Sequence, residues 1–131
     1  YSLDKNVITV DSTLSEKQSV KTLIHEIAHA TIHNINIPDV PKDSPTREVQ
    51  AESIAYVVCK YFGMDVSDYS FGYIAGWSTE KNTKELKESL EIIRDTSNNI
   101  ISKTEQTLTQ MQSVKQKVSE TIQPRRRGRC M

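Results

Sequence analysis

Val20, Leu23, Ile24, Ile27, Ala28 and Ile32 recur at steps of three and four, the spacing of apolar residues on one face of an α-helix. Ser15, three residues ahead of Gln18, has the form of a capping box, and Leu14 before it suits a hydrophobic staple. A helix is therefore predicted to begin there and to fray near Asn34–Asn36, before Pro38 and Pro41 forbid its continuation. A second helix is predicted from Ser44 as N-cap and Pro45 as first helical residue, through Phe62 to Gly63 as the left-handed closing residue. Near the start, Ser2-Leu3 and Val7-Ile8-Thr9-Val10 flank Asp4-Lys5-Asn6, which predicts a β-hairpin, either structural or an edge that pairs with an extended substrate.

Beyond the second helix, Tyr69, Phe71, Tyr73 and Trp77 form an aromatic cluster, with Tyr73 and Trp77 four apart as packing residues would be. From Lys81 to Ile122 the chain has neither Gly nor Pro. Leu86, Leu90, Ile93, Ser97, Ile100, Thr104, Thr107, Met111, Val114 and Val118 there follow a heptad seam weakened by its polar members. The fold expected is α+β and mainly helical: a small N-terminal hairpin packed on two helices, then a long C-terminal helix. Residues 1–102 form the domain in this reading and residues 103–131 a helical extension with a basic tail. That extension is free to self-associate or to dock on a neighbouring domain.

The first helix carries His25-Glu26-Ile27-Ala28-His29. Histidines four apart lie one turn apart on one face and can grip a single metal ion, while the intervening Glu26 sits beside that face as a general base. A third ligand should come from the second helix, where Glu48 and Glu52 share a face. Burying a carboxylate on a mostly apolar helix is costly without a positive partner, and zinc supplies one. Glu52, deeper in the helix between Ala51 and Ser53, is the preferred ligand. Glu48 is expected to orient a histidine ring or to serve as the alternative ligand. His33, about 12 Å along the axis from His25, is too far away to share the ion. It either supports a developing oxyanion or caps the helix C-terminus electrostatically. Tyr73 is a second candidate for polarising a substrate carbonyl, with core packing the plainer role. Cys59 follows Glu52 on the same face and reads as a small buried apolar residue more readily than as a ligand.

Composition changes little in this picture. The 131 residues carry equal numbers of acidic and basic side chains, 26% charged and 36% hydrophobic, as expected of a soluble chain with no general affinity for polyanions. Arg125, Arg126, Arg127 and Arg129 are concentrated at the end, so residues 1–123 hold 13 Lys+Arg against 17 Asp+Glu. A solvated basic tail is preferred over a nucleic-acid contact. No apolar run is long enough for a bilayer and no secretory leader is recognisable. Two cysteines make no disulfide framework, which points to reduced thiols and a cytoplasmic setting.

The run Leu23-Ile24-His25-Glu26-Ile27-Ala28-His29, then His33, then Ala51-Glu52 with Ala55 and Tyr56, resembles the ImmA/IrrE superfamily of metallopeptidases. It is more closely similar to the metallopeptidase domain of ArdC-type antirestriction and polyvalent proteins of mobile elements. The extended segments at residues 1–3 and 7–10, the His-x-x-x-His helix end, and Tyr73-Ile74-Ala75-Gly76-Trp77 before a long helix add to that likeness, which covers residues 1–102. The resemblance implies a zincin-like fold and one zinc on His25, His29 and Glu52, with Glu26 catalytic. It also implies peptide-bond hydrolysis acting on a regulatory or host-defence protein. It leaves open a non-catalytic, zinc-stabilised antirestriction module that binds protein or DNA.

Overall fold

Ser15 caps the first helix, α1 (Glu16–Ile32), through a complete capping box: its side chain accepts from the Gln18 N–H and the Gln18 side chain reaches back to the Ser15 N–H. The computed structural model describes residues 1–2, 5–34, 36–66 and 71–129, apart from the side chains of Phe71 and of residues 122–129. Three further helices follow, α2 (Ser44–Tyr61), α3 (Phe71–Thr79) and α4 (Thr83–Arg129). The chain divides into two compact units, Tyr1–Asn99 and Ile100–Met131, so the first unit holds α1 to α3 and the start of α4.

The expected α+β class is overturned: among the described residues the fold is all-α. The predicted hairpin reduces to a single antiparallel bridge between Ser2 and Val7, with Asn6 in the left-handed region at φ 51°. A sheet needs several consecutive pairs and an apolar face packed on something. Val7 is instead 48% exposed, and Ile8 and Val10 are only partly covered. Leu3 and Asp4 of the expected hairpin lie outside the described residues.

Helix α2 forms the centre of the first unit. Its N-cap is Asp43, one residue earlier than expected, with the carboxylate accepting from the Thr46 N–H at 3.0 Å; Ser44 and Pro45 occupy the first turn. At the other end Gly63, at φ 76°, donates to the Lys60 carbonyl and Met64 donates to that of Cys59, a Schellman closure that needs a residue tolerant of positive φ. Val49, Ala51, Ile54, Ala55, Val58 and Cys59 are buried, a stripe wide enough to face neighbours on more than one side.

Helix α1 packs against α2, and the alanines Ala28 and Ala51, both fully buried, leave room for backbones to approach. The two helices run antiparallel. Lys17 near the start of α1 reaches Asp65 beyond the end of α2, whereas His29 in the last turn of α1 meets Glu48 in the first turns of α2. The apolar stripe of α1 is only partly covered, since Val20 and Leu23 stay more than a third exposed.

Helix α3 also packs on α2. Trp77 is buried and its indole N–H donates to Thr46 Oγ1 at 2.9 Å, whereas Tyr73 is 49% exposed, so the two aromatics do not share a packing role. Tyr69 lies outside the described residues. In the first unit's part of α4, Leu90 of the expected seam is exposed, while Ser89 and Ser97 are buried and Leu86 and Ile93 half-buried. The second unit is helical as far as Arg129, and its Leu108, Met111, Val114 and Val118 are exposed. Cys130 lies outside the described residues. No helix among those described is long and apolar enough to cross a membrane.

Candidate metal centre

The antiparallel pairing of α1 with α2 brings the histidine face of one helix onto the acidic face of the other. His25 Nε2 and His29 Nε2 stand 3.1 Å apart. Glu48 closes the group, with Oε2 3.3 Å from His25 Nε2 and Oε1 3.0 Å from His29 Nε2. Among the described residues, these three side chains form the group whose donor atoms converge closely enough for one ion. Donor atoms on a single tetrahedral zinc stand about 3.3 Å apart, given bonds of about 2.0–2.1 Å. The observed spacings fit that requirement, and two imidazoles with one carboxylate are a donor set suited to zinc.

Glu52 occupies a different place from Glu48. Its Oε2 lies 3.0 Å from Nδ1 of His25, the nitrogen facing away from the cluster. A carboxylate there accepts the Nδ1 proton, turns the Nε2 lone pair toward the cluster and strengthens the ring as a ligand. By geometry Glu48 joins the converging donors and Glu52 stands behind His25, the reverse of the placement preferred from sequence. Depth along α2 favoured Glu52, but the offset between the helices decides, and it sets the first turns of α2 opposite His25 and His29.

His29 is held from behind as well. Its Nδ1 is 2.9 Å from Nδ1 of His33, and Nε2 of His33 is 2.7 Å from Oε1 of Gln50. His33 is therefore a buried partner of His29 and not merely an electrostatic cap on the helix. Sequence reasoning passed over Gln50. The available signal was a polar amide in a run of α2 that is otherwise buried, where it must find a partner.

Electrostatics separates the three rings. Burial disfavours the His25 cation, but its hydrogen bond to Glu52 and the charge of Glu48 outweigh it and hold its pKa above the ordinary value. Burial lowers His29 to about 4; Glu48 opposes the shift, while His25 and His33 add to it. His33 is also lowered, by burial first and then by Arg47 against the support of Gln50. His29 and His33 are thus disposed to be neutral, the form that ligates metal or relays a hydrogen bond.

A cleft of about 260 Å³ opens beside the cluster, lined by Tyr1, Glu26, His29, His33, Arg47 and Glu48 among others. Glu26 lies between His25 and His29 within the same turn and is partly buried, and its carboxylate accepts a hydrogen bond from the Tyr1 backbone nitrogen. The Arg47 guanidinium is tied by Nη1 to the carbonyls of Pro41 and Lys42 at 2.7 and 2.8 Å. Tyr73 is not among the lining residues. Cys59 is buried on α2 away from the converging donors, in keeping with a packing role.

No known protein family matches the chain, and no solved structure does. The chain is similar to an uncharacterized protein of Bacillus anthracis, with 32% identity over 116 residues. The match takes in 86% of this chain and 19% of that protein, so the chain spans about a fifth of the relative's length.

Proposed function

We propose that the chain is a zinc-dependent peptidase in which His25, His29 and Glu48 hold one zinc ion, Glu52 orients His25, and Glu26 is the general base. The observation that carries this reading is the approach of two Nε2 atoms to 3.1 Å beside the Glu48 carboxylate. His29, neutral and held from behind, brings its Nε2 against the His25 ring and the Glu48 carboxylate, and a cation bound among the three would satisfy all of them. Zinc, when bound, supplies Lewis acidity and lowers the pKa of a water toward about 7.

The chain's own residues supply the remaining chemistry. The Glu26 carboxylate lines the same cleft and would take a proton from the attacking water, then deliver it to the departing amine nitrogen. Glu26 is not needed to hold the metal, so a carboxylate at that place favours catalysis over an architectural ion. The resemblance to ImmA/IrrE and ArdC-type proteins supports a target among regulatory or defence proteins. Cytoplasmic residence belongs to the same proposal, since two cysteines supply no disulfide framework.

Metal analysis of the purified chain beside Glu26→Gln and Glu48→Ala, together with cleavage of a mixed peptide library, tests the reading. We expect about one zinc per chain in the wild type and Glu26→Gln, loss of metal in Glu48→Ala, and cleavage by the wild type alone. A wild type that takes up no zinc after supplementation, or a Glu26→Gln variant that cleaves at the parental rate, would overturn it.

A further inference from the structure

A neutral imidazole has one N–H and one lone pair, so His29 can offer Nε2 to a metal only when its proton sits on Nδ1. Hydrogen bonds behind the ring determine where that proton goes. Gln50 Oε1 can only accept, so the His33 Nε2 atom 2.7 Å away must carry the proton of its ring. His33 Nδ1 is then a lone pair. It faces His29 Nδ1 at 2.9 Å, and that contact is a hydrogen bond only if His29 donates. The lone pair of His29 is thereby left on Nε2 beside His25 Nε2. The Glu48 carboxylate 3.0 Å away can only accept and pulls the proton the other way, so the relay through His33 works against it until a cation sits between them. Gln50 is held in place in turn by Ser89 on α4, whose Oγ accepts from the Gln50 Nε2 at 3.1 Å. His33, Gln50 and Ser89 are 6%, 2% and 5% exposed, which leaves little room for water to substitute for a missing partner.

The direction of the chain matters as much as its continuity. Were the Gln50 amide turned around, its nitrogen would donate to His33, His33 would donate to His29, and His29 would present an N–H where a ligand needs a lone pair. A buried cluster that served only to pack α1 on α2 would be indifferent to that reversal.

We infer that Gln50, acting through His33 and held by Ser89, is a positioning residue that sets the tautomer of His29 for metal binding. The inference rests on the zinc reading above, but it makes a claim of its own about the metal-free chain. Ring protonation of His29 is read by ¹⁵N–¹H correlation spectra of the full chain without metal, and zinc affinity by competition with a chromogenic chelator. In the wild type the His29 proton is expected on Nδ1. In Gln50→Met, which keeps the bulk and removes the acceptor, we expect both tautomers and a Kd for zinc raised about 10–100-fold. His33→Gln retains an acceptor for His29 and should bind zinc more tightly than His33→Leu, a comparison that carries the test if Gln50→Met fails to fold.

A wild-type His29 protonated on Nε2 would overturn the inference. So would unchanged tautomer and affinity in Gln50→Met, or equal affinities for His33→Gln and His33→Leu. If the wild type binds no zinc, the peptidase reading falls separately, and the response of the His29 tautomer to Gln50→Met still decides the relay.

Discussion

Two stretches of helix, α2 and the second unit, make opposite use of similar local propensity. In α2 eight residues are buried, from Thr46 to Cys59, and its polar side chains are engaged by neighbouring helices. In the second unit Met111, Val114 and Val118 follow a regular helical step yet remain 54–62% exposed. Period alone therefore predicts a helix without predicting burial. What separates the two is apolar density: α2 has buried residues around much of its circumference, whereas the second unit has one thin row among charged and amide residues. The histidine cluster belongs to the dense region, where ring orientation can be enforced by packing and hydrogen bonds.

This contrast can be tested at both ends. The largest expected effect is on turnover: Glu26→Gln should lower cleavage by about 10²–10⁴-fold, the usual range for a general base, while zinc content stays unchanged. Next is the partition between the glutamates. Glu48→Ala should abolish stoichiometric zinc, whereas Glu52→Ala should weaken binding by about 10–100-fold; equal losses in a metal titration would erase the distinction drawn between them. In the dense core, Ile54→Ala should cost about 2–5 kcal/mol in urea unfolding, because Ile54 is fully buried. At the other extreme, Met111→Ser should stay within about 0.5 kcal/mol, as expected of an exposed site. A large loss there would show that the exposed row is covered in solution.

Acid should act on the dense region too. His29 and His33 have pKa values below that of a free histidine, so the stability they lend is complete above about pH 6.5 and is lost as pH falls through their shifted values, about 4 for His29. His25 is raised and works the other way: its contribution is present below about pH 6.5 and fades as pH rises through its shifted value. With two groups against one, the urea midpoint of the zinc-free chain should fall between pH 6.5 and 4, and fall less in His29→Gln. A flat midpoint would contradict these assignments.

Much of the site was legible because its first element is local. The capping box at Ser15, the one-turn spacing of His25 and His29, and the Gly63 closure of α2 are written in short-range steps and are present in the fold. The choice between Glu48 and Glu52 is not local. It depends on how far α1 and α2 are offset along their axes, and a shift of one turn exchanges the glutamates without altering either helix's pattern. The same limit explains Tyr73 and Trp77, which share a spacing yet differ in burial because α2 offers Trp77 a hydroxyl acceptor. For residues 2–10 the β-branched run Val7-Ile8-Thr9-Val10 after a polar turn was real, but such a run specifies a strand only where a partner strand and an apolar surface await it.

Trp77 has an optical consequence. It is the chain's single tryptophan, it is buried, and its indole nitrogen donates to Thr46, two residues before Glu48 in the same helical turn. Ultraviolet emission excited at the indole band thus comes from one residue coupled to the first turn of α2. If zinc binding at Glu48 shifts that turn, the change should register in this emission from the unlabelled chain, with no chromophore added.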